Sequence, residues 1–164
     1  MPVNSTDVVI PDVANQPVVS SVNTSVCRSV TIEEDASLTV NSGSDLAVYG
    51  NWINAGQTTV GAGKITLMGS SPQTVTGTTS FRDLTINNAN GVNLNDPTQV
   101  SGVLTLSQGT LAGNGNLTLT SDASGTALIA SSGSGTVTGN VTMQRYIPIR
   151  LGYHYFSSPF NGAS

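Results

Sequence analysis

The sequence predicts an all-β fold, a right-handed parallel β-helix (β-solenoid) of about 5 to 6 coils with a period of about 19 to 20 residues. Three observations predict it. The first is composition: Ser, Thr and Asn make up about a third of the 164 residues, and charged residues only 9%, where about 25% is typical of soluble domains. Glu and Lys, which favour helices, are scarce, and β-branched Thr suits an exposed pleat. The second is a tripeptide of aliphatic, small and aliphatic residues that recurs eight times, seven of them with Thr at the centre. That alternation is the period of a strand with one buried face, so the aliphatics point inward and Thr points out. The third is spacing: Leu46, Ile65, Leu84 and Leu104 open copies separated by 19, 19 and 20 residues, the signature of stacked coils. A β-sandwich is the alternative fold.

Taken in order, Val8-Val9-Ile10 and Val18-Val19, interrupted by Pro11 and Pro17, read as a first, irregular coil. Proline there blunts an exposed sheet edge. The copies that begin at Val30, Leu38 and Leu46 advance by eight residues, as three sides of one coil would. Weaker strands are expected at 51–54, 57–60, 73–76, 92–94 and 99–103, which makes about three short strands per coil. Corners fall at Gly50, Gly56, Gly69, Gly77, Gly91 and Gly102 and at Asn87, Asn88 and Asn90, residue types that tolerate a left-handed backbone. Beyond Leu104 the step changes, to 13 residues at Leu117 and a further 24 at Val141, and corners are not assigned there. Residues 1–143 form the solenoid; 144–164, with five of the eight aromatic side chains, form a C-terminal cap or the start of a following domain.

One coil cannot bury its own inward aliphatics, but coils stacked about 4.8 Å apart place equivalent aliphatics in continuous ladders. Each Val, Leu or Ile so removed from water contributes roughly 1.5–3 kcal/mol, and main-chain bonds between coils leave little for charges to do. The net charge of −4 comes from scattered carboxylates without a basic patch, so nucleic acid is not an expected partner. No run of about 20 apolar residues is present, which excludes a membrane-spanning helix. A single cysteine, Cys27, rules out an intramolecular disulfide and a multi-cysteine metal site. No secretory leader follows Met1, so the chain is read as a mature segment that starts at an introduced Met.

These strings, in this order, carry a resemblance: Val8-Val9-Ile10-Pro11, Ser37-Leu38-Thr39-Val40, Gly50-Asn51-Trp52-Ile53-Asn54-Ala55-Gly56, Phe81-Arg82-Asp83-Leu84-Thr85-Ile86-Asn87-Asn88 and Arg145-Tyr146-Ile147-Pro148. Over residues 7–160 the chain resembles the β-solenoid segments of large secreted Bacteroidota surface proteins of adhesin type. The resemblance implies a fragment of a longer extracellular or cell-surface chain, with neighbouring domains, the secretion machinery or surface glycans as partners. It also implies export by the type IX secretion route, whose C-terminal sorting domain is not visible in these residues. It supplies no catalytic residues and no cofactor.

The function expected from the sequence is therefore a non-catalytic structural stalk or spacer module. The alternative is a carbohydrate-binding module that uses exposed aromatics: Trp52, beside Tyr49, or Tyr153 and Tyr155 of the C-terminal tail. A third class is a polysaccharide-degrading β-helix enzyme, which needs converging carboxylates or a calcium cluster. Asp83, Asp96 and Asp122 are out of phase with the coil step, and His154 is the single histidine. Asn93, Asn95 and Asp96 could offer oxygens to a cation, but Asp96-Pro97 is first a turn signal. No catalytic, metal or cofactor residues are assigned.

Overall fold

The computed structural model describes residues 2–20, 22–56, 61–130 and 133–148. Its strands are two to six residues long and stack into a three-sided parallel β-solenoid of about 6 turns, with no helix among the described residues. The first side is a seven-stranded sheet that begins with Val8–Ile10, Val30–Ile32 and Trp52–Asn54 and ends with Thr136–Thr138. The third side is a six-stranded sheet from Ser25–Cys27 through Asp45–Val48, Lys64–Leu67, Asp83–Asn87 and Val103–Gln108 to Leu128–Ala130. The second side has two pieces, Val18–Val19 with Thr39–Val40, and a four-stranded sheet from Thr79–Phe81 to Val141–Met143. The strand expected at 57–60 lies outside the described residues.

Register follows the expected ladder. Leu46, Ile65, Leu84 and Leu104 are direct partners in adjacent coils; all four are buried, and the last three are sealed from water. The copies that begin at Val30, Leu38 and Leu46 stand on three successive sides of one coil, as their even spacing anticipates. Every pairing between coils is parallel, so each coil's backbone N–H and C=O groups are satisfied by its neighbours.

The irregular steps have a simple cause. Leu117 does not continue the Leu104 ladder; it stands on the second side, two corners further along the chain, where it pairs with Thr98 and Val141. The partner of Leu104 is Ile129, because a small antiparallel hairpin, Ser121–Asp122 with Gly125–Thr126, is inserted at the intervening corner. The strand expected at 99–103 is two strands, Thr98–Val100 and Val103–Gln108, with a corner at Gly102. The first coil also has a strand that pattern reading missed, Ser25–Cys27, because Thr24 and Ser25 leave only Val26 and Cys27 as an apolar pair, too short to show a strand period.

Polar residues that enter the ladders carry their own partners. Thr79 and Thr98 stand in register on the second side, almost sealed from solvent. Each hydroxyl donates to a carbonyl two residues back, Gly77 and Asp96, at 3.0 Å, so neither hydroxyl is left unpaired. Corner glycines are of two kinds. Gly77 has a φ of 84° and is left-handed as expected. Gly50, Gly56, Gly69 and Gly102 are instead required by crowding: a Cβ on Gly69 would lie 2.7 Å from the Tyr49 carbonyl of the coil below. Left-handed conformations are also adopted by Asp35 and Asn114. Registered strands reach Met143, and 144–148 carry no strand.

Candidate functional site

Trp52 is fully buried and its ring packs edge-on against Phe81, with centroids 5.3 Å apart and planes at 66°. It occupies the inward ladder between Val30 and Val75. A ring with no face in solvent cannot stack on a sugar, so the exposed-aromatic reading is corrected for this residue. Its Nε1 has no hydrogen-bond partner. Tyr153, Tyr155 and His154 lie outside the described residues.

The carboxylates considered for catalysis are each tied to backbone. Asp83 Oδ1 accepts from the Val103 amide at 2.7 Å, and Asp96 Oδ2 from the Gly77 amide at 2.8 Å. Asp122 Oδ1 accepts from the Ser124 and Gly125 amides at 2.7 and 3.1 Å, closing the inserted hairpin. Asn95 donates to Thr76 Oγ1 at 3.2 Å across two coils. All four side chains act as corner and edge fasteners. Among the described residues no three His, Cys, Asp or Glu side chains stand together in a metal-holding group.

Two surface features do have the shape of sites. The larger is the open N-terminal end of the solenoid, an apolar cavity of about 700 Å³ whose walls include Val8, Ile10, Val19, Cys27, Leu38 and Leu46. The inward side chains of the first coil are packed from one side only. At this mouth Val9 and Val18 are exposed by 56% and 55%. The prolines expected to blunt the edge sit at corners: Pro11 follows the strand Val8–Ile10, and Pro17 precedes Val18–Val19. No strand of the first coil contains a proline or a charge. Sequence reading missed this mouth, although the nine valines among the first 30 residues were a signal for it.

Beside the mouth, Asp7 accepts from Arg28 Nε at 2.6 Å, with a second contact between Asp7 Oδ2 and Arg28 Nη2. The Arg28 hydrogen bond holds the Asp7 carboxyl down at about 2. Cys27 lines the mouth as a free, buried thiol; burial, then the charge of Asp7, pushes it up to about 11. The thiol is thus held neutral, as a small hydrophobe.

The smaller feature is a polar groove of about 510 Å³ at the corner between the third and first sides, bordered by Tyr49, Arg28, Asn51, Asn4, Ser70 and Ser71. Tyr49 is half-buried.

The fold and these surfaces define a class: a parallel β-solenoid with a continuous aliphatic interior and an open apolar end. Compared with known protein families, with curated proteins and with solved structures, the chain has no match in any of the three.

Proposed function

We propose that the chain is a non-catalytic stalk or spacer module of an extracellular, adhesin-like surface protein, holding neighbouring domains of a longer chain at a set distance. The observation that supports this reading is the unbroken register of the Leu46, Ile65, Leu84, Leu104 and Ile129 ladder through successive coils. A seven-stranded side spans six inter-strand steps, or about 29 Å at about 4.8 Å per step. Because each coil is fixed to the next by parallel main-chain bonds and interlocked aliphatics, the length cannot change without breaking a coil. The strings shared with Bacteroidota surface proteins support the same assignment, with export by the type IX route and a place at the cell surface.

The test is a distance measurement by paired spin labels at Val9→Cys and Thr138→Cys, both on the first side. The reading expects a narrow distribution near about 29 Å that shortens by about 4.8 Å when the repeat 84–103 is deleted. A broad distribution, or no shortening, would overturn it.

The Tyr49 groove favours a second reading, carbohydrate binding, since an aromatic side chain among amides and hydroxyls is the composition of sites that hold a sugar ring. Glycan-array retention that disappears in Tyr49→Ala would replace the spacer reading with this one.

A further inference from the structure

We propose that the polar groove at the corner between the third and first sides is the site of a linear, uncharged glycan that runs parallel to the solenoid axis, one sugar unit to each coil. This rests on the carbohydrate reading of the Tyr49 groove and goes beyond it by naming the glycan's charge, shape and length. Three observations carry it.

The first is a ladder of polar side chains along the groove. Asp7, Ser29, Asn51 and Thr74 precede the registered residues Val8, Val30, Trp52 and Val75, so they hold the same corner position in four successive coils. Each side-chain oxygen caps the coil above. Asp7 Oδ1 accepts from the Ser29 amide at 3.3 Å, Ser29 Oγ from the Asn51 amide at 3.3 Å, and Asn51 Oδ1 from the Thr74 amide at 3.0 Å. With those oxygens engaged, the Ser29 hydroxyl proton and the Asn51 Nδ2 hydrogens are what the ladder offers a ligand, and neither has an acceptor among the described residues. Donors repeated at the coil spacing of about 4.8 Å suit an extended glycan, whose successive units present acceptor oxygens at a similar rise.

The second is a floor held in place before any ligand arrives. Gln73 and Asn88 are both sealed from solvent. Gln73 Nε2 donates to the carbonyls of Val48 and Gly50, and its Oε1 accepts from the Gly69 amide at 3.0 Å and from Asn88 Nδ2 at 2.9 Å. Asn88 Nδ2 also donates to the Ser71 carbonyl at 2.8 Å. These buried amides fix the backbone at the corners around 50 and 70, which lowers the ordering cost of binding. The groove spans 28–29, 49–51 and 70–73, the corners of three coils, and so accommodates three units.

The third is charge. Arg28 is the one charged residue among the described residues that border the groove, and Asp7 closes it through two contacts. The Arg28 hydrogen bond holds the Asp7 carboxyl at about 2, so the pair carries no net charge from pH about 4 upward. An acidic glycan would find no open cation and would bring its carboxylates beside Asp7.

The experiment titrates the 164-residue chain calorimetrically with linear β-1,4-linked oligosaccharides of one to six units: uncharged gluco-, manno- and N-acetylglucosamine series, and a glucuronate series. At least one uncharged series is expected to bind, to tighten up to the third unit and no further, and to exceed glucuronate of equal length by about tenfold or more. Asn51→Asp keeps the oxygen that caps Thr74 and removes the Nδ2 donors, so affinity should fall by about tenfold or more while the thermal melt matches the parent's. The length and charge series are read on the parent and decide the matter whatever the stability of that variant. Tighter binding of glucuronate, a plateau at one unit, continued tightening to six, or unchanged affinity in Asn51→Asp would overturn the assignment while leaving the groove a sugar site. If none of the four series binds, the assignment and the carbohydrate reading fall together.

Discussion

Replacing Leu84 with alanine deletes a side chain with no exposed surface that stands between Ile65 in one coil and Leu104 in the next. Transfer of its lost methyl groups and the cavity left behind cost about 2–5 kcal/mol for a buried leucine, the upper part applying where the surroundings cannot collapse. Here they cannot collapse, because parallel main-chain bonds hold the coils on both sides at a fixed spacing. A loss of about 4 kcal/mol is expected, a large part of the roughly 5–15 kcal/mol that holds a domain together. Leu84→Asp adds an unpaired buried carboxylate and should abolish cooperative unfolding. The neighbouring Thr85 faces outward and is half-buried, so Thr85→Ala should change stability by less than about 1 kcal/mol. Urea titration followed by fluorescence reads the result well, since the single Trp, Trp52, is buried in the same interior and shifts on exposure. Equal losses for Leu84→Ala and Thr85→Ala would refute the assignment of inner and outer faces on which the stacking energetics depend.

Two further outcomes follow from the coil corners and the Asp7 carboxyl. Gly77 and Gly115 are both left-handed, at φ of 84° and 82°, but a Cβ on Gly77 would collide with the Asn54 carbonyl of the coil below, and one on Gly115 would meet open space. Gly115→Ala should cost only the backbone strain of about 1–2 kcal/mol, and Gly77→Ala should cost visibly more in the same urea assay; identical losses would mean that close approach between coils does not require glycine. The Asp7 carboxyl titrates at about 2 when folded, below its ordinary 3.8, so its pairing with Arg28 stabilises the fold above pH about 4 and is lost as pH falls through about 2. Melting temperatures of the parent and Asp7→Asn should therefore differ at pH 6 and converge near pH 2, and a constant difference across that range would contradict it.

The fold was largely written in period and parity. Leu46, Ile65, Leu84 and Leu104 are spaced by the coil length, so their partnership could be read before any coordinates, as could the three sides marked by the copies that begin at Val30, Leu38 and Leu46. Two kinds of feature escaped. Corner glycines looked alike in sequence, yet Gly69 is required by a neighbour's carbonyl alone and Gly77 by its own backbone as well, a distinction that only the packing of adjacent coils can draw. The inserted hairpin at Ser121–Thr126 was hidden because Ser, Asp and Gly mark a turn without saying whether the chain leaves the coil path. Trp52 was ambiguous for a related reason: its parity was clear only once the strand Trp52–Asn54 was placed in register with Val30–Ile32. The mouth was least legible, since a terminal coil has the same inward residues as any other and differs only in lacking a neighbour.

That hairpin leaves the coil at one corner and returns without disturbing the ladder on either side, for Leu104 still meets Ile129 and Leu117 still meets Val141. Corners are thus places where the chain length is free, and sides are places where it is not. Evolution or a designer could splice a new loop at Ser124, grow it, and present it at a chosen height above the base as a lamp is hung on a pole, while the pole itself stays the same.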